Sequence, residues 1–311
     1  MEKRPLGESG VEVSRIGLGC VTFGREVDAD RSFQILDYAF EQGVTLLDTA
    51  EAYTTGGESG SSERILGAWM RSRGCRSQVA VQTKITSAPT RAQVRESLEG
   101  SLERLGVDCV DSLLLHSCAP ETPMEEFAAG MSDVCRAGLA RAYGCSNCTL
   151  EQMWTLLGCC KRGGLERPEV IEPIYNLVRR SAELDLFPFC ARRGVGIVTY
   201  SPLGAGFLTG KYTRDAAADP PGSRFAVKPG HRRIYCDERG FRLLDRLAGL
   251  ASATGVAMTR LALGWTLRHP AVASVLVGAT RVEHVAAAVK ALRDPLPPEL
   301  IDAVDRLEDL P

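Results

Sequence analysis

Four residues in this chain have the types needed for acid–base work on a carbonyl group: Asp48, Tyr53, Lys84 and His116. A free phenol has a pKa of about 10, too high for an effective acid near neutrality. An ammonium beside it stabilises the phenolate and lowers that value, while a carboxylate keeps the ammonium charged and in place. An imidazole can orient the substrate oxygen or assist the transfer. Together the four describe proton donation to a carbonyl oxygen. No side chain supplies hydride, so a reductive cofactor must bring it.

Taken singly, each residue has a plainer reading. Asp48 could cap a turn, Tyr53 could pack, Lys84 could reach solvent, and His116 could be a satisfied core imidazole. Chemistry is favoured only if the fold brings them together, so the elements decide. Short β-rich runs at 15–19, 45–48, 78–84, 111–116, 141–145, 170–174, 196–200 and 272–277 alternate with amphipathic helical stretches. The helical pattern is expected at 31–41, 62–71, 93–105, 124–136, 150–160, 182–192, 238–254, 259–268 and 282–292, with a last helix after Pro297-Pro298. Eight strands, each followed by a helix, predict an α/β fold, a closed (β/α)8 TIM barrel with extra C-terminal helices. Residues 4–13, turning at Glu8-Ser9-Gly10, read as an N-terminal β-hairpin, and 212–236 as a long loop after the seventh strand. No composition break divides the chain, so residues 1–311 are expected to form one domain.

In such a barrel the working residues lie at the C-terminal ends of the strands. Asp48, Lys84, His116 and Tyr200-Ser201 end the second, third, fourth and seventh strands. Tyr53 and the Ser146-Asn147 pair lie just beyond strand ends, and Glu172 is on the sixth. All should face one mouth. Phe23, Tyr53, Thr54, His116, Ser117, Cys118 and the 212–236 loop would line the substrate pocket, a mix that suits a sugar-like or small hydroxylated carbonyl.

Composition narrows the partners. With 37 basic and 39 acidic residues, a formal charge of -2 gives no electrostatic footprint for nucleic acid or an anionic membrane. No apolar run reaches the length of a membrane span, and the charged start Met1-Glu2-Lys3-Arg4 is unlike a signal peptide, so a cytoplasmic location is expected. The sequence assigns no oligomeric state. Eleven cysteines in such a chain are expected to be free thiols. Cys145-x-x-Cys148 with Cys159-Cys160 invites a zinc reading, but an adjacent pair is poor tetrahedral geometry and no histidine lies nearby, so no metal is expected.

Seven motifs in order resemble the aldo-keto reductase superfamily, in particular the branch that includes the potassium-channel β-subunits. They are Leu18-Gly19-Cys20-Val21-Thr22-Phe23-Gly24, Asp48-Thr49-Ala50-Glu51-Ala52-Tyr53 with Ser62-Glu63, Val81-Gln82-Thr83-Lys84, Leu113-Leu114-Leu115-His116, Gly144-Cys145-Ser146-Asn147, Tyr175-Asn176-Leu177, and the run from Tyr200 to Lys211. The resemblance implies an NAD(P)H-dependent carbonyl reductase with Tyr53 as proton donor, Lys84 and Asp48 as its tuners and His116 orienting substrate. It implies that Ser146, Asn147 and the residue at 172 hold the nicotinamide carboxamide and that Tyr200 stacks on the ring. It also implies that Cys20, Val21, Thr22 and Asp48 border the cofactor. Ser201, Pro202, Leu203, Gly204, Gly206 and Lys211 would wrap the pyrophosphate, and Gly278, Thr280, Arg281 and His284 would hold the adenosine end. The glycines of the wrap permit close backbone approach and Lys211 adds a cation.

Two departures matter. Glu172 stands where the family usually has glutamine. One reading is a conservative swap in which the acid still accepts a hydrogen bond from the amide. The other is that a carboxylate near the ring favours oxidised, cationic nicotinamide, which predicts relatively tighter binding of oxidised cofactor. His284, Ala287 and Ala288 replace polar residues that relatives use for adenosine, while Arg281 and Arg224 could reach a 2′-phosphate, favouring NADPH with NADH as the alternative. Two other functions compete with a reductase. One is a cofactor-binding regulatory or sensor subunit with little turnover. The other is a Schiff-base lyase using Lys84, disfavoured by Tyr53 and the wrap.

Overall fold

The structure, a computed structural model, describes residues 1–53, 59–86, 89–119 and 121–307. A hairpin of β1 (Lys3–Pro5) and β2 (Glu12–Ser14) precedes the barrel strands. These are β3 (Ile16–Gly19), β4 (Leu46–Asp48), β5 (Ala80–Ile85), β6 (Ser112–Leu115), β7 (Tyr143–Ser146), β8 (Val170–Glu172), β9 (Gly196–Tyr200) and β10 (Val272–Gly278). They pair in parallel in sequence order, and β10 closes on β3. The protein is therefore a (β/α)8 barrel.

Around it run α1 (Ala29–Glu41), α2 (Ser61–Arg73), α3 (Arg91–Leu105), α4 (Met124–Arg136), α5 (Leu150–Gly163) and α6 (Leu186–Arg192). Two short turns follow, α7 (Arg224–Val227) and α8 (Arg232–Tyr235). Then come α9 (Glu238–Thr254), α10 (Met258–Leu267), α11 (Val282–Arg293) and α12 (Pro298–Asp305). Threonine capping boxes start α3 (Thr90, Gln93) and α5 (Thr149, Gln152), which satisfies backbone donors that a bare helix end would leave open. No single described helix is long and apolar enough to cross a membrane.

Strand alternation sorts the residues into two cores. Leu47, Val81, Leu113, Leu115, Ile171 and Val275 face the helices, whereas Leu46, Ala80, Leu114, Val170, Val198 and Leu276 fill the lumen. The lumen is tight: a Cβ on Gly17 would lie 2.6 Å from Leu276 Cδ2. Leu6, Val11 and Val13 of the hairpin join this inner cluster and plug the N-terminal end. One step further along β4, β5 and β8 the inward residues become Asp48, Gln82, Lys84 and Glu172. The apolar floor thus supports a polar layer beneath the mouth.

Three segments differ from expectation. The stretch expected as one helix over 182–192 splits into a 3-10 turn, Ser181–Glu183, and α6. Pro188 is the cause, since its ring excludes a helical carbonyl at Leu184 and confines it to the first turn of a new helix. Strand β8 stops at Glu172 rather than at 174, because Pro173 has no N–H for the ladder. The 212–236 segment is not an open loop. It carries α7 and α8 and is pinned by Tyr212 stacked on Phe225, ring centroids 3.9 Å apart, and by Phe225 against Tyr235 at 6.1 Å.

Candidate active site

Asp48, Lys84 and Glu172 converge at the mouth end of the lumen, each 1–3% exposed. Lys84 Nζ donates to Asp48 Oδ1 and, at 3.2 Å, to the Thr49 carbonyl; Glu172 Oε2 lies 3.4 Å from the same nitrogen. Gln82 Nε2 donates to Asp48 Oδ1 at 2.9 Å and to Glu172 Oε2 at 2.6 Å. Above this layer the Tyr53 ring lies edge-on to His116, centroids 5.7 Å apart, and 5.7 Å from Lys84 Nζ. The four residues expected to act together therefore meet at one mouth.

Their electrostatics differ from the expectation in one respect. The Tyr53 phenol is pushed up, not down: burial raises it, Asp48, Glu172 and Cys20 add to the rise, and Lys84 only partly opposes them. Burial is the leading cause, and the Lys84 ammonium does not offset it, so the mouth disfavours a phenolate. For Lys84, burial works against the charge, yet Asp48 and Glu172 outweigh it and hold the ammonium above its ordinary range. His116 is lowered to about 4, by burial and then by the Lys84 charge, and is neutral at pH 7. The mouth thus holds a protonated phenol, a neutral imidazole and a charged amine.

The residues expected to meet a nicotinamide are braced by hydrogen bonds. Ser146 Oγ donates to the Glu172 carbonyl at 2.9 Å, Asn147 Nδ2 to the His116 carbonyl at 3.0 Å, and Tyr200 Oη to Asn147 Oδ1 at 2.7 Å. Among the described residues, non-glycine positive φ occurs at Asn147 (54°), Ser201 (58°) and Ala205 (55°), all in segments expected to touch cofactor. Left-handed backbone at an ordinary residue costs about 1–3 kcal/mol and clusters at ligand sites. Gly204 and Gly206 are left-handed too, and a Cβ on Gly206 would lie 2.8 Å from Lys211 Nζ. His284 is lowered first by burial and then by the charges of Arg281 and Lys211, and its Nδ1 accepts from the Thr280 N–H at 3.3 Å. A left-handed cradle leading to a cationic group fits a dinucleotide and its phosphates.

The remaining expected residues are placed as follows. Cys20 is buried and Thr22 Oγ1 donates to the Ala279 carbonyl at 2.7 Å; Val21 is half-buried between them. Pro202 is buried, Leu203 is half-buried, and Gly278 is exposed at the end of β10 with open space beside it. Phe23 is 1% exposed and belongs to the core rather than to an open wall. Ser117 is exposed at the mouth, and Thr54 lies outside the described residues. Arg224 opens α7 in the long segment. It sits 3.5 Å from Glu26, which also pairs with Arg25, and its charge faces Tyr53. The long segment is thereby fastened to the first βα loop.

The cysteines also depart from expectation. Cys118 and Cys148 form a disulfide with Cα atoms 5.4 Å apart, joining the loop after His116 to the loop after Asn147. The Cys145 sulfur lies within 4.8 Å of both. The other nine cysteines are free, with Cys160 bonded to the Tyr143 hydroxyl at 3.0 Å and Cys159 to Arg162. Ser62 and Glu63 proved to be supports, a role that reading the motif alone did not give them. Ser62 bridges the Thr49 hydroxyl and the Cys20 carbonyl, and buried Glu63 joins Thr83 to Arg104, both at 2.6 Å. A carboxylate fixed at the start of a helix beside a threonine on the neighbouring strand was the available signal.

Fold and mouth together define a barrel oxidoreductase. The Aldo/keto reductase family model matches residues 15–309, and the chain belongs to that family, whose members in general bind NAD(P)H. It is similar, at 34% identity over 98% of this chain and 96% of the relative, to a rice (Oryza sativa subsp. japonica) protein named "Probable voltage-gated potassium channel subunit beta". An Arabidopsis thaliana protein of the same name is 33% identical over 99% of this chain and 96% of its own length.

Proposed function

We propose that the protein is an NAD(P)(H)-dependent reductase of a small aldehyde or ketone, cytoplasmic, using NADPH in preference to NADH. The observation that carries this reading is the convergence of a protonated Tyr53, a charged Lys84, Asp48 and a neutral His116 on one mouth. The bound nicotinamide supplies hydride. Ser146, held on the Glu172 carbonyl, and Asn147, held between the His116 carbonyl and the Tyr200 hydroxyl, would hold its carboxamide, and the 201–211 segment with Lys211 its phosphates. Tyr53 holds a proton for the carbonyl oxygen. His116, a neutral donor or acceptor, orients that oxygen, and the Lys84 charge stabilises the phenolate left behind. Lys211 and Arg281 beside His284 support the preference for a 2′-phosphate.

Titration of intrinsic fluorescence with NADPH and NADH, followed by turnover on hydroxylated and apolar carbonyls, tests the reading. Tighter NADPH binding and turnover lost in Tyr53→Phe are the expected results; absence of binding by either nucleotide overturns it. A second reading, favoured by the names of the rice and Arabidopsis relatives, is a cofactor-bearing regulatory subunit of a partner protein. Retained cofactor with no turnover on any carbonyl would select it.

A further inference from the structure

The buried layer beneath the mouth holds one carboxylate more than its charge can balance. Asp48 and Glu172 both rest on Lys84 Nζ, the second at 3.4 Å, and both accept from the single Gln82 amide nitrogen, at 2.9 and 2.6 Å. All four side chains are cut off from solvent. Fully ionised, the group carries a net charge of -1 with no counter-ion, an arrangement that low-dielectric surroundings oppose. One proton shared between the acids removes the imbalance.

We propose that Asp48 and Glu172 form a proton-holding pair whose occupancy is matched to the redox state of the cofactor. The pair holds one proton beside the neutral reduced nicotinamide and gives it up beside the cationic oxidised one. The proposal rests on the reading of the mouth as an NAD(P)(H) site. Its balance is that of carbonyl reduction. The hydride goes to the carbonyl carbon and the Tyr53 proton to the oxygen, giving an alcohol. The stored proton then restores the phenol across Lys84, which faces both groups. The pair ends ionised opposite the positive ring, and regains a proton from solvent by the same route, through the half-buried Tyr53 and then Lys84, when reduced nucleotide replaces oxidised.

The groups facing the pair leave it free to do this. From the first βα loop Cys20 is held up as a thiol, chiefly by burial. Tyr53 and, from β9, Tyr200 are raised by burial and stay phenols. His116 beyond β6 is neutral above about pH 4, and Lys84 on β5 stays charged. Glu172 itself is raised well above its ordinary value, by burial and then by Asp48, against the pull of Lys84. Among these described neighbours the acid pair, resting on the single Lys84 ammonium, is the group left to exchange a proton. The preference of Glu172 for oxidised cofactor, expected from its charge, then becomes dependent on pH.

The test is to measure NADPH and NADP+ dissociation constants for the native protein and Glu172→Gln from pH 6 to 9. Calorimetry in two buffers of different ionisation enthalpy counts the protons exchanged. As pH falls, the ratio of the NADP+ to the NADPH constant should rise in the native protein, by up to about tenfold per pH unit where one proton is fully linked. In Glu172→Gln, with one carboxylate on one ammonium, the ratio should be flat. A pH-independent ratio in the native protein, or the same slope in the variant, overturns the proposal while leaving the cofactor site intact. Binding of neither nucleotide removes the site itself. If the variant does not fold, the native slope and proton count decide alone.

Discussion

In the proposed reaction the phenol must keep its proton until the carbonyl arrives, and burial does this for Tyr53. Tyr53→Phe should therefore lower kcat by about 10²–10⁴-fold while nucleotide affinity, measured by fluorescence, stays the same; a variant with native kcat would remove Tyr53 from the chemistry. His116 offers a check through stability. Its folded pKa of about 4 lies below the ordinary imidazole value, so its contribution is present above about pH 6.5 and is lost as pH falls toward 4. In urea unfolding, His116→Asn should lose midpoint less steeply than the native protein across that window. Identical pH profiles would mean that the imidazole is not held neutral. The residue types at this mouth were legible in sequence because each ends or follows a strand of a recognisable unit. The direction of the Tyr53 shift was not, since it depends first on how deeply the assembled mouth buries the phenol, which no local spacing reports.

At the scale of elements, the loops that carry the site are clasped from behind. Glu63 on α2 ties Thr83 of β5 to Arg104 of α3, and its neighbour Ser62 ties the ends of β3 and β4. Removing one partner from a buried ion pair strands the other, so Glu63→Ala should cost about 3–5 kcal/mol in denaturant unfolding. A loss below about 1 kcal/mol would show that Arg104 simply turns to water. Strands β6 and β7 are joined by a second fastening, Cys118–Cys148. Thiol counting in denaturant should find nine reactive cysteines without reductant and eleven with it; eleven in both cases would show that the bond does not form. Periodicity located nearly every strand and helix, because apolar spacing is a local property. The disulfide was hidden for the opposite reason: its cysteines are 30 positions apart and become neighbours only when adjacent strands end at the same height.

The whole molecule separates stability from chemistry along the barrel axis. Alternating strands and helices gave away the closed barrel, but the two-residue period alone does not say what seals its far end. That is the work of the hairpin, whose Leu6, Val11 and Val13 pack against Leu46, Leu114, Val170 and Val198. Leu6 is fully buried there, so Leu6→Ala should cost about 2–5 kcal/mol through lost contacts and a residual cavity. The polar layer of Asp48, Gln82, Lys84 and Glu172 lies above that floor and is held by its own hydrogen bonds. A ligand bound at the mouth stabilises the folded state by an amount set only by its concentration and dissociation constant. Saturating NADPH should then raise the melting temperature of Leu6→Ala from its lower starting point by the same free-energy increment as in the native protein. A smaller increment in the variant would mean that loosening the floor reaches the lysine layer, and that the two ends of the barrel are coupled.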